Sequence, residues 1–338
     1  MALFSRITVV AADGAPVASW PLRLVYYLYE RRLLAQVRER AMPRHVGIIL
    51  DGNRRYGQRH QLTDPRALYS LGADKLDHVL DWCAELGIAA VTLWVFSTAN
   101  QSRSAREVSG ILAAIEDKLA RLARDPQIHR RRVRVRAVGR LGELPASTRE
   151  AIRAAEQATA GYDGLYLTIA VAYGGREEIT DAVRALLAER SGRGDGLDEV
   201  IAAITPEAIG RYIYAADLPD PDLIIRTSGE LRLSGFLLWQ SAYSEFYFSD
   251  VYWPAFRKID FLRAVRADPP RASVKMARNK SVVTTGATIV WVNTLMKRRI
   301  SLTHRVARPI QLTAPNRRGE GGGARVMAAR GSARSGHR

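Results

Sequence analysis

With 338 residues, 47% hydrophobic and 25% charged, the chain has the composition of an ordinary globular protein with ample core. A single cysteine, Cys83, excludes an intramolecular disulfide, and no apolar run approaches the roughly 18–20 residues that cross a bilayer. The formal charge of +17 is concentrated: residues 267–338 hold fifteen basic and two acidic side chains, so the basicity belongs to the tail and not to the body.

Residues 1–20 read as a poorly specified leader without the apolar core of a secretory signal, and the lone cysteine points to a reducing cytoplasm. The stretch PLRLVYYLYERRLLAQVRER, residues 21–40, reads as a helix after Pro21, and residues 21–42 are taken as an N-terminal amphipathic helix. Its apolar positions beside arginines fit two settings, docking on the domain or a peripheral contact with an anionic membrane. From 43 to 266, short apolar runs alternate with helical periodicity. Strand-like VGIIL (46–50) precedes a helix over 67–86, and AAVTLWVF (89–96) precedes one over 104–123. VRVRAV (133–138) precedes a helix over 147–160, and LYLTIAVA (165–172) precedes one over 176–190. DLIIRT (222–227) and FLLW (236–239) complete the strands. Cys83, in apolar register with Leu80 and Leu86, reads as a small buried hydrophobe. This alternation predicts a single α/β domain with a mainly parallel central sheet of about six strands flanked by helices. The tail, 267–338, opens with DPPR, offers one short strand at 287–293 and ends rich in Gly and Arg; it is expected to be largely disordered.

Four polar clusters follow the apolar runs: Asp51 to Arg55, Ser97 to Arg103, Tyr173 to Glu177 and Arg226 to Gly235. In an open parallel sheet the strand C-termini share one edge, so all four can face a single crevice. Arg55, Arg103, Arg176, Arg226 and Arg232 are forked donors suited to phosphate oxygens. Gly52, Gly174, Gly175 and Gly229 let backbone N–H groups approach an anion. There is no G-x-x-x-x-G-K-[ST] and no G-x-G-x-x-G, which leaves the known nucleotide cradles unsupported, and no His/Cys cluster offers zinc a site. Asp51 and Glu245 can supply carboxylate oxygens to Mg²⁺. Taken alone, Asp51-Gly52 is equally a tight turn, and an arginine at a strand end is usually a solvated charge. The joint occurrence lifts the reading.

In this order, HVGIILDGNRRYG, WVFSTANQSR, AYGGREEI and DPDLIIRTSGELRLSGFLLWQSAYSEFYFSDVYWPAF resemble the successive signature blocks of the cis-prenyltransferases, the undecaprenyl diphosphate synthase family. The resemblance spans about 43–266. It implies Mg²⁺-dependent condensation of isopentenyl diphosphate with an allylic diphosphate, forming a new Z double bond in a domain with an apolar substrate tunnel. By resemblance, Asp51 is a Mg²⁺ ligand, and Gly52, Asn53, Arg54, Arg55 and Tyr56 hold the allylic diphosphate. Asn100 is the asparagine that assists proton removal, with Ser97, Thr98, Ala99, Gln101 and Arg103 around the substrates. Arg226, Arg232, Leu233 and Ser234 match the isopentenyl diphosphate site. Glu245 matches a second metal carboxylate near the interface of a homodimer. Val91, Leu93, Val95 and the helix over 104–123 are candidates for the tunnel wall.

Several positions depart from the family pattern. Tyr69 stands where a histidine is common, and it keeps one hydrogen bond but no positive charge. Pro65 stands in place of an arginine, with Arg66 as the substitute. Val95 is bulkier than the residue usual in long-chain members, which favours a short, C15-type product. The basic segment that ends most members has no counterpart, since the resemblance stops near Arg266. Two other readings compete. One is a catalytically weak family member serving as a membrane-surface or partner-binding subunit. The other is a nucleic-acid binder acting through the tail, which has no base-reading motif behind it, so no specific nucleic-acid partner is expected.

Overall fold

The structure, a computed structural model, describes residues 20–267. The expectations for the leader and for a disordered tail with a strand at 287–293 lie outside the described residues. In chain order the strands are β1 (His45–Ile49), β2 (Ala90–Ser97), β3 (Val133–Val138), β4 (Leu165–Tyr173), β5 (Leu223–Arg226) and β6 (Glu245–Phe248). The helices are α1 (Trp20–Arg38), α2 (Asn53–Arg59), α3 (Pro65–Leu86), α4 (Ala105–Leu122), α5 (Pro126–Arg130), α6 (Ala146–Thr159), α7 (Gly175–Gly192), α8 (Leu197–Ala203), α9 (Pro206–Gly210) and α10 (Lys258–Ala267). The strands form one six-stranded sheet in the order β3-β4-β2-β1-β5-β6, every pairing parallel. Crossover helices cover such a sheet, which is why β1 reads as an uninterrupted buried run.

One strand is not where the apolar run suggested. FLLW, 236–239, is a turn, with Leu237 at φ 45°. Phe236 and Leu237 are buried without joining the ladder: Phe236 stacks on Trp94 with ring centroids 5.4 Å apart, and the Leu237 N–H donates to the Tyr173 hydroxyl. The sixth strand is instead Glu245–Phe248, in register Leu223↔Glu245 through Arg226↔Phe248. The short helices α2, α5, α8 and α9 carry too few turns to leave a periodic trace.

Long helices are set by local chemistry. At the start of α3, Asp64 accepts hydrogen bonds from the Arg66 and Ala67 N–H groups, and Pro65 takes the first turn; Gly87, at φ 68°, ends the helix. Its buried stripe includes Leu76, Leu80 and Cys83, whose thiol burial pushes up to about 12, making it an inert core residue. Helix α1 docks on α10: Leu33 and Val37 are buried, Glu30 pairs with Lys258, and Arg263 lies over the Tyr29 ring. Its outer face leaves Leu24, Val25 and Leu28 exposed, followed by exposed Arg31 and Arg32.

His45 gives the fold an acid limit. It is buried, donating from Nδ1 to the Pro219 carbonyl at 2.7 Å and accepting at Nε2 from the Thr92 hydroxyl at 2.8 Å. Burial lowers its pKa below the ordinary 6.5. Because the folded value lies below the unfolded one, the neutral form's stability is fully present above about pH 6.5 and is lost as pH falls towards the folded pKa. Thermal unfolding of the wild type between pH 7 and pH 5 should therefore show a steeper fall in midpoint than that of His45→Gln; equal slopes would contradict the assignment.

Candidate active site

The C-terminal ends of β1, β2, β4 and β5 open into one cleft of about 1080 Å³. It lies where the strand order runs in opposite directions on the two sides of β1, the usual ligand position in an open α/β sheet.

The β1 exit carries Asp51. Its backbone N–H donates to the Thr227 hydroxyl at 2.9 Å, and its Oδ1 accepts from the Gly52 N–H at 2.7 Å. Arg226, at the end of β5, donates from Nη2 to Asp51 Oδ2 at 2.7 Å. The Arg226 side chain is only 5% exposed, and Nη1 is fixed by Ser234 Oγ at 2.9 Å and by the Arg232 carbonyl. Thus a nearly buried guanidinium holds the carboxylate at the strand end, while its Nε lacks a hydrogen-bond partner. Gly52 takes φ 98°, which admits the sharp entry into α2. Asn53, Arg54 and Arg55 follow on α2 and line the cleft.

After β2, Ser97 and Asn100 cap the short turn Thr98–Ser102 reciprocally: Ser97 Oγ accepts from the Asn100 N–H, and Asn100 Oδ1 accepts from the Ser97 N–H. Ser97, Thr98, Ala99 and Asn100 all line the cleft. Arg103 donates to the Tyr69 hydroxyl at 2.9 Å and to Glu107 at 2.8 Å, and Tyr69 donates to Glu107 at 2.8 Å. Burial, and then Glu107, push the Tyr69 phenol above its ordinary value, so it remains a donor. Tyr69 therefore keeps a place in the cleft through a hydrogen-bonded triad instead of a charge.

After β4, Gly175 packs so close to the loop beyond β5 that a Cβ would fall 2.3 Å from the Gly235 carbonyl oxygen. Beneath it, fully buried Glu178 accepts from the Tyr173 hydroxyl, the Gln240 amide and the Tyr214 N–H. Desolvation raises its pKa. This network ties the loop carrying Arg232 and Ser234 to the sheet.

Six arginines line the cleft (Arg54, Arg55, Arg103, Arg176, Arg226 and Arg232) against three carboxylates (Asp51, Glu177 and Glu230). That excess suits a ligand with several negative charges. The same cleft is also lined by Trp94, Val95, Phe96 and Ile111, which suit an apolar group. Among the described residues there is no cluster of three or more His, Cys, Asp or Glu fit to hold a metal ion. One carboxylate at a phosphate site fits Mg²⁺, which binds through one or two carboxylates plus substrate oxygens, better than it fits a prebuilt metal cage.

Some expected residues lie elsewhere. Tyr56 packs on His60 with ring centroids 4.2 Å apart and planes tilted by 33°, and is not among the cleft residues. The Gln101 amide donates to Glu143, and Gln101 borders a separate groove beside α4. Leu233 packs against an apolar cluster that includes Ile49 and Phe236. Arg66 is not among the cleft residues, and Asp117 accepts from both its Nε and its Nη2. Val91 and Leu93 belong to the core, and only Val95 of that trio reaches the cleft. Glu245 pairs with Leu223 at the start of β5, three residues before Arg226 or about 10 Å back along the strand, so within one chain it does not lie beside Asp51. Several cleft residues were not singled out, among them Glu230, Trp94, Phe96 and Gln58. Glu230 was signalled by its place between arginines in RTSGELR, whereas nothing in the pattern singled out Trp94.

Comparison with known proteins is consistent with this geometry. A family model described as "Putative undecaprenyl diphosphate synthase" matches residues 49–269. An isoprenyl transferase of Deinococcus radiodurans is 53% identical over 239 residues, covering 70% of this chain and 87% of that protein. A (2Z,6E)-farnesyl diphosphate synthase of Thermobifida fusca is 48% identical over 243 residues, covering 72% and 93%. Among solved structures, lavandulyl diphosphate synthase from Lavandula x intermedia, in complex with dimethylallyl diphosphate, superposes with a TM-score of 0.60 at 30% identity, covering 72% of this chain and 98% of that one.

Proposed function

The chain belongs to the cis-prenyltransferases, the undecaprenyl diphosphate synthase family, and from that premise we propose that it joins isopentenyl diphosphate to an allylic diphosphate such as geranyl or farnesyl diphosphate. The products are a Z-polyprenyl diphosphate and inorganic diphosphate. The observation that carries this reading is the coexistence, in one cleft, of six arginines with Trp94, Val95, Phe96 and Ile111.

Arg55 and Asn53, on the first turn of α2, are assigned to the allylic diphosphate; Arg226, Arg232 and Ser234 to the isopentenyl diphosphate. As the allylic C–O bond breaks, charge grows on the departing diphosphate, and arginines already fixed in place stabilise that state without reorganising. Asp51 would hold Mg²⁺, which when bound would add further positive charge at the departing oxygens. Asn100 has its Oδ1 committed to the Ser97 N–H, and an amide takes no proton at neutral pH. It orients the isopentenyl unit, and the proton leaving that unit passes to a diphosphate oxygen. A catalytically weak subunit is not favoured, because Asp51, Arg55, Asn100, Arg226 and Arg232 all converge on the cleft.

Release of inorganic diphosphate tests the reaction. It should require both substrates, cease with EDTA and return with excess Mg²⁺. Release from the allylic substrate alone, or undiminished release in EDTA, would contradict the proposal.

For chain length, Val95 on the cleft wall and the farnesyl-length relative support a short product. Val95→Ala enlarges the wall and should lengthen the product by at least one C5 unit, read by mass spectrometry. An unchanged length would remove Val95 from the account. A homodimer is part of the same proposal: β6 is an edge strand with Phe246 exposed on it and Tyr243 exposed just before it, and Glu245 on it would act only across such an interface. Leu24, Val25 and Leu28 beside Arg31 and Arg32 on α1 support a peripheral contact with an anionic membrane.

A further inference from the structure

Glu230 connects the two arginines assigned to different diphosphates. Its Oε1 accepts from Arg55 Nη2 at 3.0 Å, and its Oε2 accepts from Arg232 Nη1. It is the better shielded of the three, with its side chain 25% exposed against 44% for Arg55 and 64% for Arg232. The backbone places it there. Ser228 and Gly229, immediately before it, take φ 79° and 72°, and their N–H groups donate to the Val251 and Ser249 carbonyls. Glu230 therefore rides on a turn anchored to the segment after β6 and is not a freely swinging surface side chain. Arg55 is also positioned from another side, with its guanidinium 5.8 Å from the centroid of the Tyr252 ring.

A carboxylate and a phosphate offer arginine the same partner, paired anionic oxygens, and they compete for the same N–H donors. Glu230 also adds a negative charge beside any diphosphate that reaches Arg55 or Arg232, and this repulsion acts in the same direction. A residue that only reinforced binding would have the opposite sign. We propose that Glu230 is a resident counter-anion that yields Arg55 and Arg232 to the substrates and competes them back from the product diphosphate, speeding its release. This inference rests on the diphosphate reading of the cleft. In it Glu230 acts through the arginines, as a positioning residue.

The test is calorimetric titration of inorganic diphosphate into the full chain, wild type and Glu230→Gln, with and without Mg²⁺, alongside product-inhibition kinetics. The amide keeps the shape and removes the charge. Binding should tighten by about fivefold in both conditions, a modest factor because the pair is partly solvated. KM and kcat should fall together, with inhibition by diphosphate strengthened to match. Glu230→Ala should move binding in the same direction, with an unchanged thermal midpoint as the control on folding. Equal or weaker binding in Glu230→Gln would overturn the inference, and weakening confined to Mg²⁺ would make Glu230 a metal ligand instead. Failure of the wild type itself to bind diphosphate would overturn the underlying reading of the cleft, and this inference with it.

Discussion

Replacing Asp51 with Asn is expected to lower kcat by about 10²–10³-fold while the protein remains folded. The carboxylate stands at the β1 exit, where Gly52 N–H donates to Oδ1, Arg226 to Oδ2, and Arg55 lies 4.0 Å from Oδ1, while the backbone N–H is fixed by Thr227. Asn keeps the volume and still offers an oxygen to Arg226, so the cleft should retain its shape. What disappears is the negative charge that would hold Mg²⁺ beside the departing diphosphate. Asp51→Ala should behave differently in stability. It leaves the Arg226 guanidinium, 5% exposed, without its anion, at a cost of about 2–3 kcal/mol once the partial exposure of Asp51 is allowed for. Steady-state kinetics and thermal midpoints of the two variants separate these effects. Activity of Asp51→Asn within tenfold of wild type would remove Asp51 from the chemistry.

Gly52→Ala should be nearly as damaging, through the backbone. Gly52 sits at φ 98°, where an L side chain is strained. The new Cβ would also lie 2.8 Å from Tyr252 Cδ1 and 2.9 Å from both Cβ and Oγ of Ser228. Strain and collision together should cost about 2–4 kcal/mol. Since Asp51 and α2 flank this residue, relief by shifting the turn moves Asp51 relative to Arg226, and a displacement of ~1 Å is worth about a hundredfold in rate. Both losses should appear together, in the thermal midpoint and in kcat/KM. An alanine variant as stable and active as wild type would mean that the turn is not rigid.

The central architecture was readable because buried parallel strands leave continuous apolar runs, and VGIIL, AAVTLWVF, VRVRAV and LYLTIAVA each fall on a strand. The site was readable because strand C-termini share an edge, so Asp51 and Arg226, 175 positions apart, can meet. What failed has physical causes. FLLW showed burial, but an apolar run does not say whether its backbone joins a ladder. Sequence order also does not reveal which end of a strand a residue occupies: the register with Leu223 shows that Glu245 lies away from Asp51 within one chain. Val91, Leu93 and Val95 look alike as sequence, yet only the last borders the cleft, and that distinction depends on how α4 packs over β2. Glu230 lies inside the Arg226–Gly235 cluster, but a sequence does not reveal that its carboxylate joins Arg55 and Arg232.

The most direct measurement is the structure of the product formed by the full chain from geranyl diphosphate, labelled isopentenyl diphosphate and Mg²⁺, with mass spectrometry for length and NMR for double-bond geometry. A product extended by one or more C5 units, each new double bond Z, is the result expected, with C15 as the dominant length. An extended product with E bonds, or no extended product from folded protein with any allylic primer, would contradict cis-prenyl transfer in this cleft.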